Sequence, residues 1–436
     1  MALPDSNNKS TGNIVSFKVY SNTGKSSEIK GLAPEIKYYE NLLSNSITFT
    51  AVVADTGGLD PENKKPMPGI LDGLPIRGGE KTDLIIEDAY KNKLSFIGDK
   101  SFYVNRIKAA DPGTQKDLYF LDFCSLEFLK NEQTRIIKRY DIKISEAVKK
   151  ILTDPPPFGL GTKKETVIDE TGVPYNFIGN QWKPFHVCTW LASRSAPTKS
   201  INQAAGYFFY ETYDGFQFRS IDLLMEQEPT KKYLYTNSTQ TKPGFEPIQD
   251  MYIEKDMDLQ QKLILGTYAN RTLYFDTFAF EWVSRPYDIS EQQGGLSLAG
   301  ADLDYVAEQF RQTPTRFMTR VLDNGWLPVG KKAEEQLSTW KGQPKQPVFD
   351  APKLMSQTIM RYNQLYSVKT NITIRGDFTL RAGQTVYCEF PDLQDDIARR
   401  PNQQTSGKYM IASLCHRITP KDCLTSLTLV RDSYSK

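Results

Sequence analysis

Residues 75–82 read Pro-Ile-Arg-Gly-Gly-Glu-Lys-Thr and run into a strand-like segment at 83–86. Near the other end, Thr373-Ile374-Arg375-Gly376 precedes Ala382-Gly383-Gln384-Thr385 and a strand-like segment at 386–390. A Tyr-led segment ending in Arg-Ile follows each, Tyr103 to Arg106-Ile107 in one case and Tyr409 to His416-Arg417-Ile418 in the other. A polar turn holding Lys-Asp comes next in both (Lys116-Asp117, Lys421-Asp422), and both close on an apolar run, 118–123 and 424–430. A glycine before each strand permits a tight entry turn, and the last two runs read as an antiparallel hairpin with one buried face. Restricted turn chemistry can produce such echoes in any β-rich chain, but the shared order of the pieces favours duplication. The expectation is two barrel-like domains of one design at opposite ends of the chain, enclosing a middle insert.

The surrounding segments fit that plan. Apolar residues alternate over Asn13–Tyr20 (Ile14, Val15, Phe17, Val19) and over 47–53 (Ile47, Phe49, Ala51, Val53), the period of a half-buried strand. A Gly/Pro-rich stretch covers 56–75, and strand candidates resume at 81–87, 94–96 and 102–108. After Tyr140 the period lengthens. Ile144, Val148, Ile151 and Leu152 share a helical face, with Ser145 as the expected N-cap, and Pro155–Pro157 and the glycines of 158–162 predict a linker. Pro184 suits the first position of a helix carrying Val187, Trp190 and Leu191, and Asp214-Gly215 predicts a hairpin turn. Residues 268–283 read as aromatic strand, and 303–310 (Leu303, Val306, Ala307, Phe310) and 355–366 (Met355, Ile359, Tyr362, Tyr366) as helices. Residues 326–352 read as an irregular surface excursion. The predicted fold class is β-rich α+β. A first barrel domain with its connector spans 1–150 and a smaller α+β domain spans 151–255. A second barrel domain spans 256–436, with a helical and irregular insertion at about 285–365.

Composition narrows the function classes. With 54 Lys+Arg against 52 Asp+Glu, the net charge of +2 gives no electrostatic case for gripping nucleic acid or an anionic membrane. Aromatic residues reach 12%, nearly all Tyr and Phe, which favours strands and wet interfaces. The five cysteines (Cys124, Cys188, Cys388, Cys415, Cys423) are scattered without a C-x-x-C, as expected of a reduced assembly site. Cys415 and Cys423 could face each other across a hairpin, though reduced cysteines are the expected state. Residues 1–13 lack the apolar core of a signal peptide, and no stretch approaches the roughly 20 apolar residues of a membrane span, so a soluble protein is expected.

The run GDFTLRAGQTVYCEFPDL (376–393), followed by SGKYMIASLCHRITPKDCLTSLTLVRD (406–432), resembles the closing segment of phage baseplate hub proteins. YYENLLSNSITFTAVVADTGG (38–58) with LDGLPIRGGE (71–80) is similar to their opening, and NEQTRIIKRYDIKISEAVKKIL (131–152) to the connector after their first barrel. The resemblance is to the hubs of T-even-type myophages and, more distantly, to the spike hubs of type VI secretion. It covers roughly the first 150 and the last 80 residues, and it rests on the order of the motifs. It implies two tail-tube-fold domains per chain and a homotrimer presenting six similar barrels. Such a ring would join a hexameric tail tube, or a tube-initiator protein, to a trimeric spike. Inner baseplate proteins would surround it, and DNA and the tape-measure protein would pass through a neutral or acidic channel. The expected location is the virion tail baseplate, after assembly in the host cytoplasm.

Residues able to carry chemistry are few. Of the two histidines, His186 lies near a helix start and reads as packed or capping, and His416 lies near the end of a strand, opposite Asn105 of the first repeat, with a hydrogen-bonding role. The acid pairs Asp395-Asp396 and Glu334-Glu335 sit in polar surroundings that do not raise a carboxyl pKa. Gly159-Leu160-Gly161 lacks the spacing of a phosphate loop, and Arg399-Arg400 reads as a solvated loop. No catalytic, cofactor-binding or metal residue is therefore assigned, no cofactor is expected, and the chain reads as a non-enzyme. A tail-associated cell-wall hydrolase would need an acid pair or metal site. A receptor-binding adhesin would be expected to carry repeats or a fibrous stalk.

Overall fold

The computed structural model describes residues 11–55, 58–59, 66–67, 73–112, 117–172, 174–198, 204–236, 242–255, 258–276, 280–288, 296–300, 308–321, 351–391, 401–402 and 404–434. The 326–350 part of the predicted excursion, the acid pairs Asp395-Asp396 and Glu334-Glu335, Arg399-Arg400 and the 303–307 part of a predicted helix lie outside the described residues.

Strands from both ends of the chain join in one 15-stranded sheet. In its first half the lateral order is Glu35–Asn41, Thr48–Asp55, Asp117–Ser125, Phe102–Pro112, Lys81–Glu87, Asn13–Tyr20. In its second half the order is Asp250–Lys255, Val368–Arg375, Cys423–Arg431, Gly407–Ile418, Thr385–Glu389, Lys232–Tyr235. Chain order maps onto lateral order identically in the two halves. One difference lies at the last strand: Asn13–Tyr20 runs antiparallel to its neighbour and Lys232–Tyr235 parallel.

The registers make the repetition quantitative. Strand Phe102–Pro112 skips Asn105 against Asp117–Ser125, and Gly407–Ile418 skips Ala412 against Cys423–Arg431. A β-bulge at the same place in each half equates Val104 with Ile411. The independent pairs Lys81↔Tyr103 and Thr385↔Met410 give the same offset.

Duplication is therefore present, with a different alignment from the one the motifs suggest. Thr373-Ile374-Arg375 lies inside strand Val368–Arg375, whose counterpart is Thr48–Asp55, whereas 75–80 is the loop entering Lys81–Glu87. Likewise Ile107 corresponds to Leu414 rather than Ile418, and Asn105 to Ala412 rather than His416.

The β-rich fold with helices agrees with expectation, but among the described residues the sheet is open and no closed barrel forms. The two halves are fused because Gly407–Ile418 pairs with Glu35–Asn41 through six register pairs, from Ser413↔Asn41 to Ile418↔Ile36. One core runs under both, with Phe17, Phe49, Phe102 and Phe123 beside Ile372, Val386, Leu414 and Leu429. Phe49 stacks on Phe123 at 4.0 Å, an aromatic contact typical of interdigitated strand faces.

A second core gathers helices Ile144–Thr153 and Pro184–Ala192 against strands Tyr207–Thr212 and Gly215–Ser220. Ile144, Val148, Ile151 and Leu152 are buried as their spacing predicts. Ser145 is not the cap: Lys143 occupies that position, and Ser145 exchanges hydrogen bonds with Thr171. The predicted linker is a tight helix terminus. Leu160 is buried, and Leu160 and Gly161 donate their amides to the carbonyls of Ile151 and Asp154. The hairpin turn is Tyr213-Asp214, one residue earlier than expected, since Thr212 pairs with Gly215. Residues 268–283 hold one strand, Ala269–Asp276, and the start of a second, Glu281–Asp288, paired as a hairpin with Arg316–Val321 alongside the first. Helix Ala351–Leu365 packs behind that small sheet, where Asn270 Nδ2 donates to the carbonyl of Ser356.

Candidate functional site

The feature with most capacity to act is the joint between the two halves, together with the edges it leaves open. At its centre Tyr38 of the first half lies opposite His416 of the second. Their rings stack, and the Phe378 ring lies tilted against the imidazole at 4.8 Å. His416 Nδ1 meets Thr425 Oγ1 at 2.8 Å. Burial, with Arg381 nearby, holds the His416 pKa down at about 3, so the ring is neutral at ordinary pH. It is a packed, hydrogen-bonded histidine.

Glu40, two residues from Tyr38, is fully enclosed. Its carboxylate accepts from the Tyr38 hydroxyl at 2.8 Å, the Tyr213 amide at 2.8 Å and the Ala382 amide at 2.9 Å. One side chain thereby ties the first half, the middle hairpin and the second half together. Burial raises its pKa even though Arg381 and these donors oppose the rise. Asp88 adds a cross-tie by accepting from the amide of Phe378. The entry turn at Gly383 is fixed sterically: its φ is +87°, and a Cβ there would stand 2.2 Å from the Tyr210 hydroxyl.

Below the joint, Lys164 is buried between Glu211 at 2.6 Å and Glu127 at 2.8 Å. Glu211 also accepts from the Ile47 amide, and Thr162 donates to Glu127. Burial raises the Glu211 pKa. Burial also pulls Lys164 down, but the two carboxylates outweigh it and its pKa ends raised. The cluster anchors the middle unit to the start of strand Thr48–Asp55.

The edges are the remaining part of the site. Strand Phe102–Pro112 is paired on one side by Asp117–Ser125 throughout, and on the other only near its start, by Lys81 and Thr82 and through the bond from the Val104 amide to Glu80. Beyond Val104 that edge has no strand partner among the described residues, and Arg106 and Lys108 are exposed. Among the described residues strand Asp250–Lys255 pairs only with Val368–Arg375, and Tyr252 is 65% exposed on it. A strand edge with unspent amides and carbonyls is a template for another strand.

The other residues weighed in the sequence do not assemble into a reactive site. His186 packs edge-on against Trp182 at 4.9 Å and lines an open hollow of about 420 Å³ with Leu43, Asn45, Phe128 and Thr189. No carboxylate or cysteine lines that hollow. The Gly159–Gly161 amides of Leu160 and Gly161 already serve the helix end and cannot cradle a phosphate. Cys415 lies opposite Ser426 and Cys423 opposite Ile418, so they do not face each other, and all five cysteines are free. Among the described residues no group of three or more His, Cys, Asp or Glu could hold a metal ion, and no helix is long and apolar enough to cross a membrane.

Sequence reasoning missed Glu40, Glu211 and Lys164. Single charged residues inside strand-like or linker-like segments carry no spacing signal, and only the three-dimensional pairing gives them a role.

No protein-family model and no curated protein matches the chain. Solved structures do. The tail protein from Neisseria meningitidis MC58 is similar over 97% of this chain and 97% of its own, with 11% identity and a TM-score of 0.52. The 43 kDa tail protein of prophage MuSo2 from Shewanella oneidensis is similar over 96% of this chain and 98% of its own, at 11% identity and a TM-score of 0.52. The likeness extends over nearly the whole of each chain, so the protein shares the fold of phage tail proteins.

Proposed function

We propose that the chain is a non-enzymatic structural protein of a contractile phage tail, the central hub of its baseplate. In this reading it forms a homotrimer whose six tube-like units, two per chain, make a pseudo-sixfold ring. The ring joins the hexameric tail tube to a trimeric spike and surrounds part of the channel for DNA and the tape-measure protein. The unit borders lie near residues 150 and 255, with the middle unit and the insertion between them.

The observation carrying this reading is the repeated six-strand order together with its asymmetry of use. One joint between units is made inside the chain, while among the described residues the equivalent strands Phe102–Pro112, beyond Val104, and Asp250–Lys255 have no strand on their outer edges. Such a head-to-tail arrangement adds copies by one operation until it closes as a ring, and a ring leaves no edge open. The solvent face of the strands supports a channel wall without a basic lining. Some of its cations meet acids, as in Arg417 with Glu35 and Lys369 with Glu254, beside the exposed Arg106 and Lys108. A wall so balanced would not grip passing DNA.

The test is the solution mass of the purified protein by light scattering. A species of three times 49.6 kDa is expected. A monomer that persists at high concentration and in the presence of a spike protein would remove the hub reading.

A further inference from the structure

Three arginines from two parts of the fold come together at the margin of the small sheet. Strand Arg316–Val321 pairs, among the described residues, only with Ala269–Asp276. Its burial alternates, so Arg316, Met318 and Arg320 share a half-buried face while Phe317, Thr319 and Val321 are exposed on the other. The half-buried face is the one turned to helix Ala351–Leu365. Arg316 lies opposite Asn270, whose side chain donates to the Ser356 carbonyl of that helix, and Arg320 lies opposite the buried Tyr274. Leu354 of the same helix packs on the middle core, as does Trp190, and Arg194 stacks on the Trp190 ring at 3.9 Å.

Among the described residues no carboxylate pairs with Arg316 or Arg320. Arg316 spends Nη1 on the Leu265 carbonyl, and Arg194 spends Nη1 on that of Trp190. Burial lowers the Arg320 pKa, Arg194 and Arg316 lower it further, and Tyr274 is the group that opposes them. A cation withdrawn from water is normally met by an opposite charge, and guanidinium forks match oxyanions with two parallel hydrogen bonds. We propose that Arg316 and Arg320 of the small sheet, with Arg194 of the middle unit, bind an oxyanion, a phosphate or a carboxylate group, that enters at the sheet margin. The bound anion offsets the repulsion among the three guanidinium groups and clips the small sheet to the middle unit. This site goes beyond the hub reading and does not depend on it.

The experiment is thermal melting of the full chain during titration with inorganic phosphate, and in parallel with a triglutamate peptide, at an ionic strength held constant with sodium chloride. The Tm of the unaltered chain should rise with the probe, by mass action on the folded state. Arg320→Met should weaken probe affinity by about tenfold, and Arg316→Met, a second variant on the same face, should do likewise. Arg285→Met, exposed on the neighbouring strand Glu281–Asp288, should leave it unchanged. General salting effects of phosphate act alike on all these chains, so the difference between them reports the site. A response to phosphate alone assigns the free ion, a response to triglutamate alone assigns a protein carboxylate, and a response to both assigns the oxyanion from either source. No response of the unaltered chain to either probe, or a response that Arg320→Met and Arg316→Met leave intact, overturns the site.

Discussion

Tyr38 and His416 come from opposite ends of the chain and stack at 5.9 Å with ring planes 9° apart. The contact lies where the two halves of the sheet are fused, and Tyr38 also donates to the buried Glu40. Tyr38→Ala leaves a void and an under-satisfied carboxylate, and should cost about 3–5 kcal/mol. Both halves share one core, so urea unfolding followed by near- and far-ultraviolet dichroism should move as one shifted transition. Two transitions, only one of them shifted, would show that the halves are independent.

His416 gives the protein an acid sensitivity of defined sign. The folded ring titrates at about 3, the unfolded one near its ordinary 6.5. Between those values the unfolded chain binds the extra proton, so stability falls as pH drops below about 6.5, by ~1.4 kcal/mol per unit. His416→Asn removes this slope. The difference in Tm between the two proteins should be largest at pH 7 and narrow toward pH 5, and a constant difference would show that His416 is not the titrating group.

Lys164→Met strands two carboxylates in the interior, and the expected loss is about 3–5 kcal/mol. Because burial already raises the Glu211 pKa, this variant should regain stability as pH falls and the carboxyl takes up a proton. Adding Glu127→Gln and Glu211→Gln should recover much of the loss at pH 7. Thermal melts across pH 4.5–7.5 distinguish this behaviour from simple loss of packing, which would not depend on pH.

Gly383→Ala meets both a left-handed backbone and the Tyr210 hydroxyl. A cost of about 1–3 kcal/mol is expected. Tyr210→Phe, which removes the nearest atom, should lessen the penalty of the alanine in a double-mutant cycle. Additive penalties would mean that the backbone conformation alone is responsible.

Duplication was legible because glycine-led strand entries and hairpins leave a recognisable order of residue types. Its alignment was not. Ile76-Arg77-Gly78 and Ile374-Arg375-Gly376 match as letters, yet one is loop and the other leads out of a strand. The true equivalences run through backbone bulges at Asn105 and Ala412, two residues with nothing in common chemically. Period-two alternation marked the core face of 47–53 (Ile47, Phe49, Ala51 and Val53 are buried), but it did not reveal that the neighbouring strand Glu35–Asn41 would meet Gly407–Ile418. Alternation reports faces, and lateral neighbours leave no mark in it. Helix faces, as at Ile144–Thr153, were readable from spacing alone. The buried charges were not, since each takes its meaning from partners far along the chain.

The fused sheet has a consequence for how the protein is made. Asn41 emerges from the ribosome long before its partner Ser413 exists. At about 5–20 residues per second, roughly 20–70 s pass between the two. Throughout that interval the edge of Glu35–Asn41 is unsatisfied and adjoins a nearly complete half-sheet, the arrangement most open to mispairing with another nascent chain. Newly made copies on one polysome would therefore compete with the chain's own C-terminus for that edge. Slower translation or crowded expression should favour swapped, tangled assemblies over correctly joined ones.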